Sequence, residues 1–225
     1  MSCTSSLYKF PERNWQEIPE PESAKIKELA FEQSEIDSFR FLITVRSKRK
    51  DERISFRQAI VLTQANDLTV ETYPTNAAYL LNKFEANGQT FVFKDFQKNT
   101  TERGKLTPDI FEKFFSIPLS INELLAILTG KVADNWLNSG LLISSDEGQV
   151  SFATSEKTLS FQLDSKAQKL AKFSKYGSFA KSLTFTGTYL NWQEFEGKQI
   201  PQMLSLSLPR YDMEISITVK PLALN

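Results

Sequence analysis

The sequence predicts a mainly β fold (α+β), built as one strongly curved antiparallel sheet or incomplete barrel. Three observations predict it. Short segments with apolar alternation, bounded by Gly, Pro or Asn, recur along the chain. They fall into two runs around a single apolar helical stretch, Leu106 to Gly130. No repeat, low-complexity tract or linker divides the chain, so residues 22–225 read as one domain behind a flexible arm, residues 1–21.

Taken in order, the arm carries Pro11, Pro19 and Pro21 among polar residues, with Trp15 placed to dock on the domain. Ala24, Ile26, Leu29, Ala30 and Ile36 give an amphipathic helix from about Glu22 to Ile36. Phe39, Phe41, Ile43 and Val45 then alternate with Arg40, Thr44 and Arg46 as a first strand. Ser47 to Arg53 is a basic turn, read as a solvated hairpin tip, with contact to anionic lipid the lesser alternative. Strands follow near Ile54 to Thr63 and Leu68 to Tyr73, the latter halted by Pro74. Tyr79 to Glu85 and Thr90 to Phe96 flank Asn87-Gly88, the strongest hairpin signal in the chain. Asn99 to Gly104 is polar, a short edge strand or a loop.

The central stretch reads as two short helices. Thr107 caps the first, Pro108 suits its first position and Asp109 complements its dipole. Ile110, Phe111, Phe114 and Phe115 fall at helical spacing, and Pro118 ends it. Ser120 and Glu123 form a capping box for the second, with Leu119 and Leu124 as a hydrophobic staple and Gly130 as the stop. Ile121, Leu124, Leu125, Ile127 and Leu128 leave this helix apolar nearly all round, so it must be covered on more than one side. In a β-rich protein that places it in or across the concave face of a sheet. Lys131 to Gly140 is irregular or helical around Trp136. Strands near 141–144, 149–153, 158–163, 170–174, 183–190, 200–208 and 213–219 bring the expected total to about ten or eleven.

Composition excludes several chemistries. The chain has no histidine, so a Ser-His-Asp triad, a histidine base and histidine metal ligands are impossible. One cysteine permits neither an intrachain disulfide nor a cysteine metal cluster. The 27 basic residues balance 27 acidic ones, so no global field favours nucleic acid or an anionic membrane. Carboxylates are plentiful, yet no pair sits in a catalytic motif, and neither enzyme activity nor a cofactor is expected. Eighteen phenylalanines make either a large aromatic core or a core that also lines an apolar cavity.

Cys3 allows two readings: an incidental thiol, or the lipidated first residue of a mature bacterial lipoprotein whose signal peptide Met1 and Ser2 replace. In the second reading Thr4 to Pro21 is the tether. Thr4 also differs from the aspartate associated with inner-membrane retention in enteric bacteria, which favours the outer membrane.

The order of elements resembles the LolA/LolB-type carriers of bacterial lipoproteins and their LolB-like relatives. The residues that carry the resemblance are Ala86-Asn87-Gly88-Gln89-Thr90-Phe91-Val92-Phe93 and Ile117-Pro118-Leu119-Ser120 through Leu128-Thr129-Gly130. The likeness covers the layout from Glu22 to Val219. It implies a half-open β-barrel with short helices packed over its concave side, around a cavity that receives acyl chains. Each buried methylene of an acyl chain contributes about 0.8 kcal/mol to membrane anchoring, so a soluble carrier must offer comparable apolar surface. The expected lining is Phe41, Ile43, Phe91, Phe93, Phe114, Leu125 and Leu128, with plain core the alternative for each. The family's membrane-inserting loop falls at Thr75 to Tyr79, where Ala77 and Ala78 are small.

The resulting expectation is a periplasm-facing outer-membrane lipoprotein that binds acyl chains or lipoproteins, for lipoprotein localisation or lipid transport. Its membrane contact would run through Cys3. The alternative is a structural lipoprotein of the same fold, docking a protein partner in an envelope complex. Nucleic acid is not an expected partner.

Overall fold

The structure is a computed structural model that describes residues 10–18, 38–49, 52–63, 67–115, 120–132, 141–146, 149–154, 159–164, 169–176 and 183–224. Cys3, the helix expected over 22–36, Pro118, Leu119 and Trp136 lie outside these residues. Among the described residues, fourteen strands form one antiparallel sheet. The first run comprises β1 (Gln16–Glu17), β2 (Ser38–Arg49), β3 (Glu52–Thr63), β4 (Asp67–Pro74), β5 (Asn82–Asn87), β6 (Thr90–Asp95) and β7 (Thr100–Lys105). Two helices follow, α1 (Pro108–Phe115) and α2 (Ile121–Thr129). The second run comprises β8 (Leu141–Asp146), β9 (Gln149–Thr154), β10 (Leu159–Asp164), β11 (Lys169–Tyr176), β12 (Leu183–Phe195), β13 (Lys198–Leu208) and β14 (Met213–Leu224).

The spatial order is β1-β8-β9-β10-β11-β12-β13-β14-β2-β3-β4-β5-β6-β7. Apart from β1, which adds to β8, each run is a meander, and the two are joined where β14 pairs with β2 along eleven residues, Thr218 opposite Thr44. Among the described residues the sheet does not close, and β1 and β7 are its edges. The excess over ten or eleven strands includes segments without apolar alternation. Gln16–Glu17 adds to β8 through main-chain pairing alone. Thr100–Lys105 is exposed at every position and forms the other edge, where charge discourages pairing with another chain. Part of the expected arm is also ordered against the sheet: Phe10 is buried against Trp15 and Tyr176 at ring distances of 5.6 and 5.0 Å.

Alternation decides which face is buried. Phe39, Phe41, Ile43 and Val45 of β2 point inward, as do Ile60 and Leu62, Leu68 and Val70, and Leu204, Leu206 and Leu208. Asn87-Gly88 turns the β5–β6 hairpin as its sequence predicts. Gly88 takes a positive φ of 81°, while the Asn87 side-chain oxygen accepts from the Thr90 N–H at 2.9 Å. β5 begins at Asn82 rather than Tyr79. Arg57 explains the delay, donating to the carbonyls of Pro74 and Ala77 and so holding the preceding turn out of the ladder.

The sheet curves strongly enough for α1 to touch distant strands. Phe111 packs on Phe84 of β5 at 5.7 Å. Its neighbour Glu112 meets Arg210 and Tyr211, in the short 3-10 turn between β13 and β14. In a flat sheet β5 and β14, four spacings apart, would be about 19 Å from one another. Adjacent residues of one helix can reach both only across a concave face.

Candidate functional site

The helices are fixed over the concave face by different means. In α2, the Ser120 hydroxyl accepts from the Glu123 N–H at 3.2 Å and the Glu123 carboxylate accepts from the Ser120 N–H at 2.7 Å. That is the predicted capping box. Glu123 is also buried, and its other oxygen meets Lys175 of β11 at 2.8 Å. The same carboxylate therefore caps the helix and ties it to the sheet. At the far end Gly130 adopts φ 71° and ends the helix. A Cβ there would lie 2.3 Å from the Trp192 ring and 2.8 Å from Pro201, so glycine is needed for contact as well as conformation. Between these ends the Tyr189 hydroxyl donates to the Ile127 carbonyl at 3.0 Å. Burial pushes the ionisation of Tyr189 well above the ordinary tyrosine range, which keeps this donor protonated.

α1 is held mainly by rings. Phe114 stacks on Phe93 at 4.3 Å and lies tilted against Phe84 and Phe91 at 5.7 and 5.6 Å. Outside this cluster, Lys113 pairs with Glu102 on the β7 edge. Tyr211 donates to Glu112, and that hydrogen bond, then burial, raises the tyrosine's ionisation.

Between α1, α2 and the inner face lies a cavity of about 430 Å³, a size and apolar character typical of small-ligand sites. Its walls come from β14 (Ile215, Ile217), β2 (Ile43, Val45), β3 (Phe56, Ile60), Val70, Phe93, and the helices (Phe111, Phe114, Leu124, Leu128). Ile54 and Ser55, both exposed, line it at the β2–β3 hairpin end, whereas Ile60 and Leu128 at the inner end are buried to 2% and 1% exposure. The mouth is therefore at that hairpin. One polar row crosses the wall: Gln58 opposite Thr72, and Thr72 opposite Asn82. The Gln58 amide donates to the Thr72 hydroxyl at 3.2 Å, which satisfies one end of an otherwise costly buried group.

Four of the seven residues expected at a cavity lie on this wall: Ile43, Phe93, Phe114 and Leu128. Three do not. Phe41 is buried deeper along β2, stacked on Phe39 at 5.8 Å. Phe91 stacks on Phe84 at 5.8 Å, with its ring beneath Gly104. Leu125 is half-buried, packed against the core from the other side of α2. The residues sequence reasoning missed include Val45, Ile215 and Ile217. Their alternation was visible, but the pairing of β14 with β2 that brings them together was not. In the Thr75–Tyr79 turn the exposed ring is Tyr79, at 59%, while Ala77 is half-buried.

The open antiparallel half-barrel with two helices across its concave face is a fold that this chain shares with several solved structures. A DUF1329 family protein from Desulfovibrio piger shares it at a TM-score of 0.63 and 9% identity, over 91% of this chain and 92% of that one. A LolA superfamily protein from Nitrosomonas europaea does so at a TM-score of 0.60 and 12% identity, over 88% and 91% of the two chains. A domain from Vibrio parahaemolyticus, described as an outer membrane lipoprotein-sorting protein, matches at 0.58 and 10% identity, over 90% and 93%. Identities this low show shared fold alone. No family model matches the sequence, and no curated protein matches it either.

Proposed function

We propose that this protein is a bacterial envelope carrier or receptor that binds acyl chains, free or on lipoproteins, in the cavity beneath α1 and α2. The observation that carries the reading is the cavity itself. It is apolar, adjoins the helices, and has exposed residues, Ile54 and Ser55, at one end rather than being filled by the eighteen phenylalanines. The lipoprotein-sorting name of one structural neighbour supports the cargo class. Within this reading Cys3 carries the lipid anchor, the residues before the docked Phe10 are the tether, and the domain faces the periplasm from the outer membrane. The residues proposed to touch the chains are Ile43, Phe93, Phe114 and Leu128, joined by Val45, Ile215 and Ile217.

The test is titration with a dansyl-labelled fatty acid, followed by competition with a diacylated lipopeptide. Saturable binding with displacement is expected. Val45→Trp fills the cavity near its mouth, at a folding cost of about 1–3 kcal/mol, and should weaken the probe at least tenfold while the circular dichroism spectrum is kept. A wild-type protein that takes up no probe, or a folded Val45→Trp variant that binds as well as wild type, would refute the assignment.

A further inference from the structure

One rung of the cavity wall is polar, although hydrocarbon alone needs no polar wall. Ile43 of β2 stands opposite Gln58, Gln58 opposite Thr72, and Thr72 opposite Asn82. All four line the cavity, and Gln58 and Thr72 are only 8% and 6% exposed. Alternation turns them to the inner face, in phase with Phe56 and Ile60 on β3 and with Val70 on β4.

Most of the hydrogen-bonding capacity of this row is unused. A glutamine amide carries two N–H donors and an oxygen with two lone pairs. In Gln58 one N–H goes to the Thr72 hydroxyl, while the oxygen accepts nothing from a described residue. That oxygen is not sealed in the core: among the described residues, the buried side-chain atom left with no partner is Thr63 Oγ1. It opens on the cavity. The Thr72 hydroxyl accepts from Gln58 but gives its own proton to no described residue, and the Asn82 side chain hydrogen-bonds to none. Polar groups buried without partners are costly. The row is therefore built for a partner that arrives with the ligand.

That partner is uncharged. Among the described residues that line the cavity there is no Asp, Glu, Lys or Arg. Asp95, next along the rung opposite Asn82, turns its carboxylate to the N–H groups of Gln97 and Lys98, both at 3.0 Å. A phosphate or carboxylate drawn in to Gln58 would lack a counter-charge. An ester could accept from the row but would leave the Gln58 oxygen unpaired. A carboxamide satisfies both, since its N–H meets that oxygen and its carbonyl meets the amide donors. Beside Gln58 the wall is hydrocarbon, formed by Ile43, Val45, Ile215 and Ile217, and a chain attached to the amide lies there.

We propose that Gln58, Thr72 and Asn82 form a recognition row for a carboxamide, and that the cavity's ligand is an acyl chain joined through an amide bond. The inference rests on the acyl-chain reading and narrows it from hydrocarbon in general to one linkage. Apolar contact supplies affinity, and the row selects the linkage.

The experiment uses the full chain and the dansyl fatty acid, displaced by N-methyldodecanamide or by methyl dodecanoate. These competitors differ only in an N–H against an ester oxygen. The amide is the harder of the two to take out of water, so a cavity that lacks recognition favours the ester. In the wild type the amide should compete at least as well as the ester. Gln58→Met/Thr72→Val replaces both members of the buried pair by apolar groups of similar shape, a change that folding tolerates. It should move the amide-to-ester ratio toward the ester by about tenfold or more. Asn82→Leu, at a half-buried position, tests the row independently of that pair and should move the ratio several-fold the same way. Because the readout is a ratio, a general change in cavity affinity cancels. An ester preference in the wild type, or a ratio unmoved in either folded variant, overturns the recognition row and leaves the acyl cavity standing. Absence of dansyl binding in the wild type overturns both.

Discussion

Single residues here do two jobs at once, and that is why their roles were only half legible. Ser120 and Glu123 announced a capping box from spacing alone, and the box is present. The reach of Glu123 to Lys175, 52 residues on, is a tertiary fact that no local pattern encodes. Gly130 read as a helix stop, and it is one, but its tight seat against Trp192 and Pro201 depends on strands that come later in the chain. Tyr189 gives a measurable consequence. Its ionisation is raised above the ordinary value of 10.0 by burial, so the folded state keeps a proton that the unfolded state loses. Its contribution is therefore complete below that ordinary value and is lost as pH climbs from there toward the folded-state value. Stability should fall above about pH 10, with a limiting slope near 1.4 kcal/mol per pH unit from this group. Tyr189→Phe should flatten that part of the denaturation profile, and an unchanged slope would contradict the assignment.

At the scale of elements, strands with clean alternation were found at their places, from Phe39 to Val45 and from Met213 to Val219. The ones without it, β1 and β7, are held by backbone pairing at edges, where side-chain pattern carries little information. The two helices looked alike as an apolar insert and are not. α2 is bound at its start by Glu123–Lys175, in its middle by Tyr189 and at its end by Trp192, which gives it ties to the sheet along its length. α1 rests on stacked rings and on surface pairs such as Lys113–Glu102, which contribute little in water. It is the element suited to move aside. Amide exchange should accordingly be slower in α2 than in α1 by an order of magnitude or more, with ligand slowing α1 chiefly. Leu128→Asp, placing a charge at a site with 1% exposure, should cost at least about 3 kcal/mol, whereas Leu125→Asp at a half-buried site should cost less than half of that. Chemical denaturation of the two variants checks the ranking.

For the whole molecule, curvature is the property that turns a meander into a container. Fourteen antiparallel strands among the described residues could have made a filled sandwich, and composition alone leaves that alternative open. What decided it was the crossing from β7 at one edge to β8 near the other, which carries α1 and α2 over the concave face and stops the sheet from collapsing on itself. Four of the seven residues expected from the sequence stand on the cavity wall, because inward parity is local. The other three could not be separated from core, since depth along a strand is set by partners far away. A ligand that fills the cavity stabilises the folded state by mass action. At a free concentration a hundredfold above its dissociation constant a saturating fatty acid adds about 2.7 kcal/mol, or about 5–10 °C in melting temperature for a chain of this size. Differential scanning calorimetry should show that shift in the wild type and lose most of it in Val45→Trp.

The seam between β14 and β2 has a further consequence, in the order of synthesis. The last strand in the chain is not at a margin but near the middle of the sheet, between β13 and β2. During translation β2 is among the first strands to emerge, and one long side of it stays unpaired until the very last segment arrives. Until β14 is made, the β2–β7 meander keeps an open edge on β2, of the kind that invites aggregation, and the strands from β8 onward form a separate half-sheet as they emerge. The cavity, whose walls come from both half-sheets, exists only once that seam is zipped.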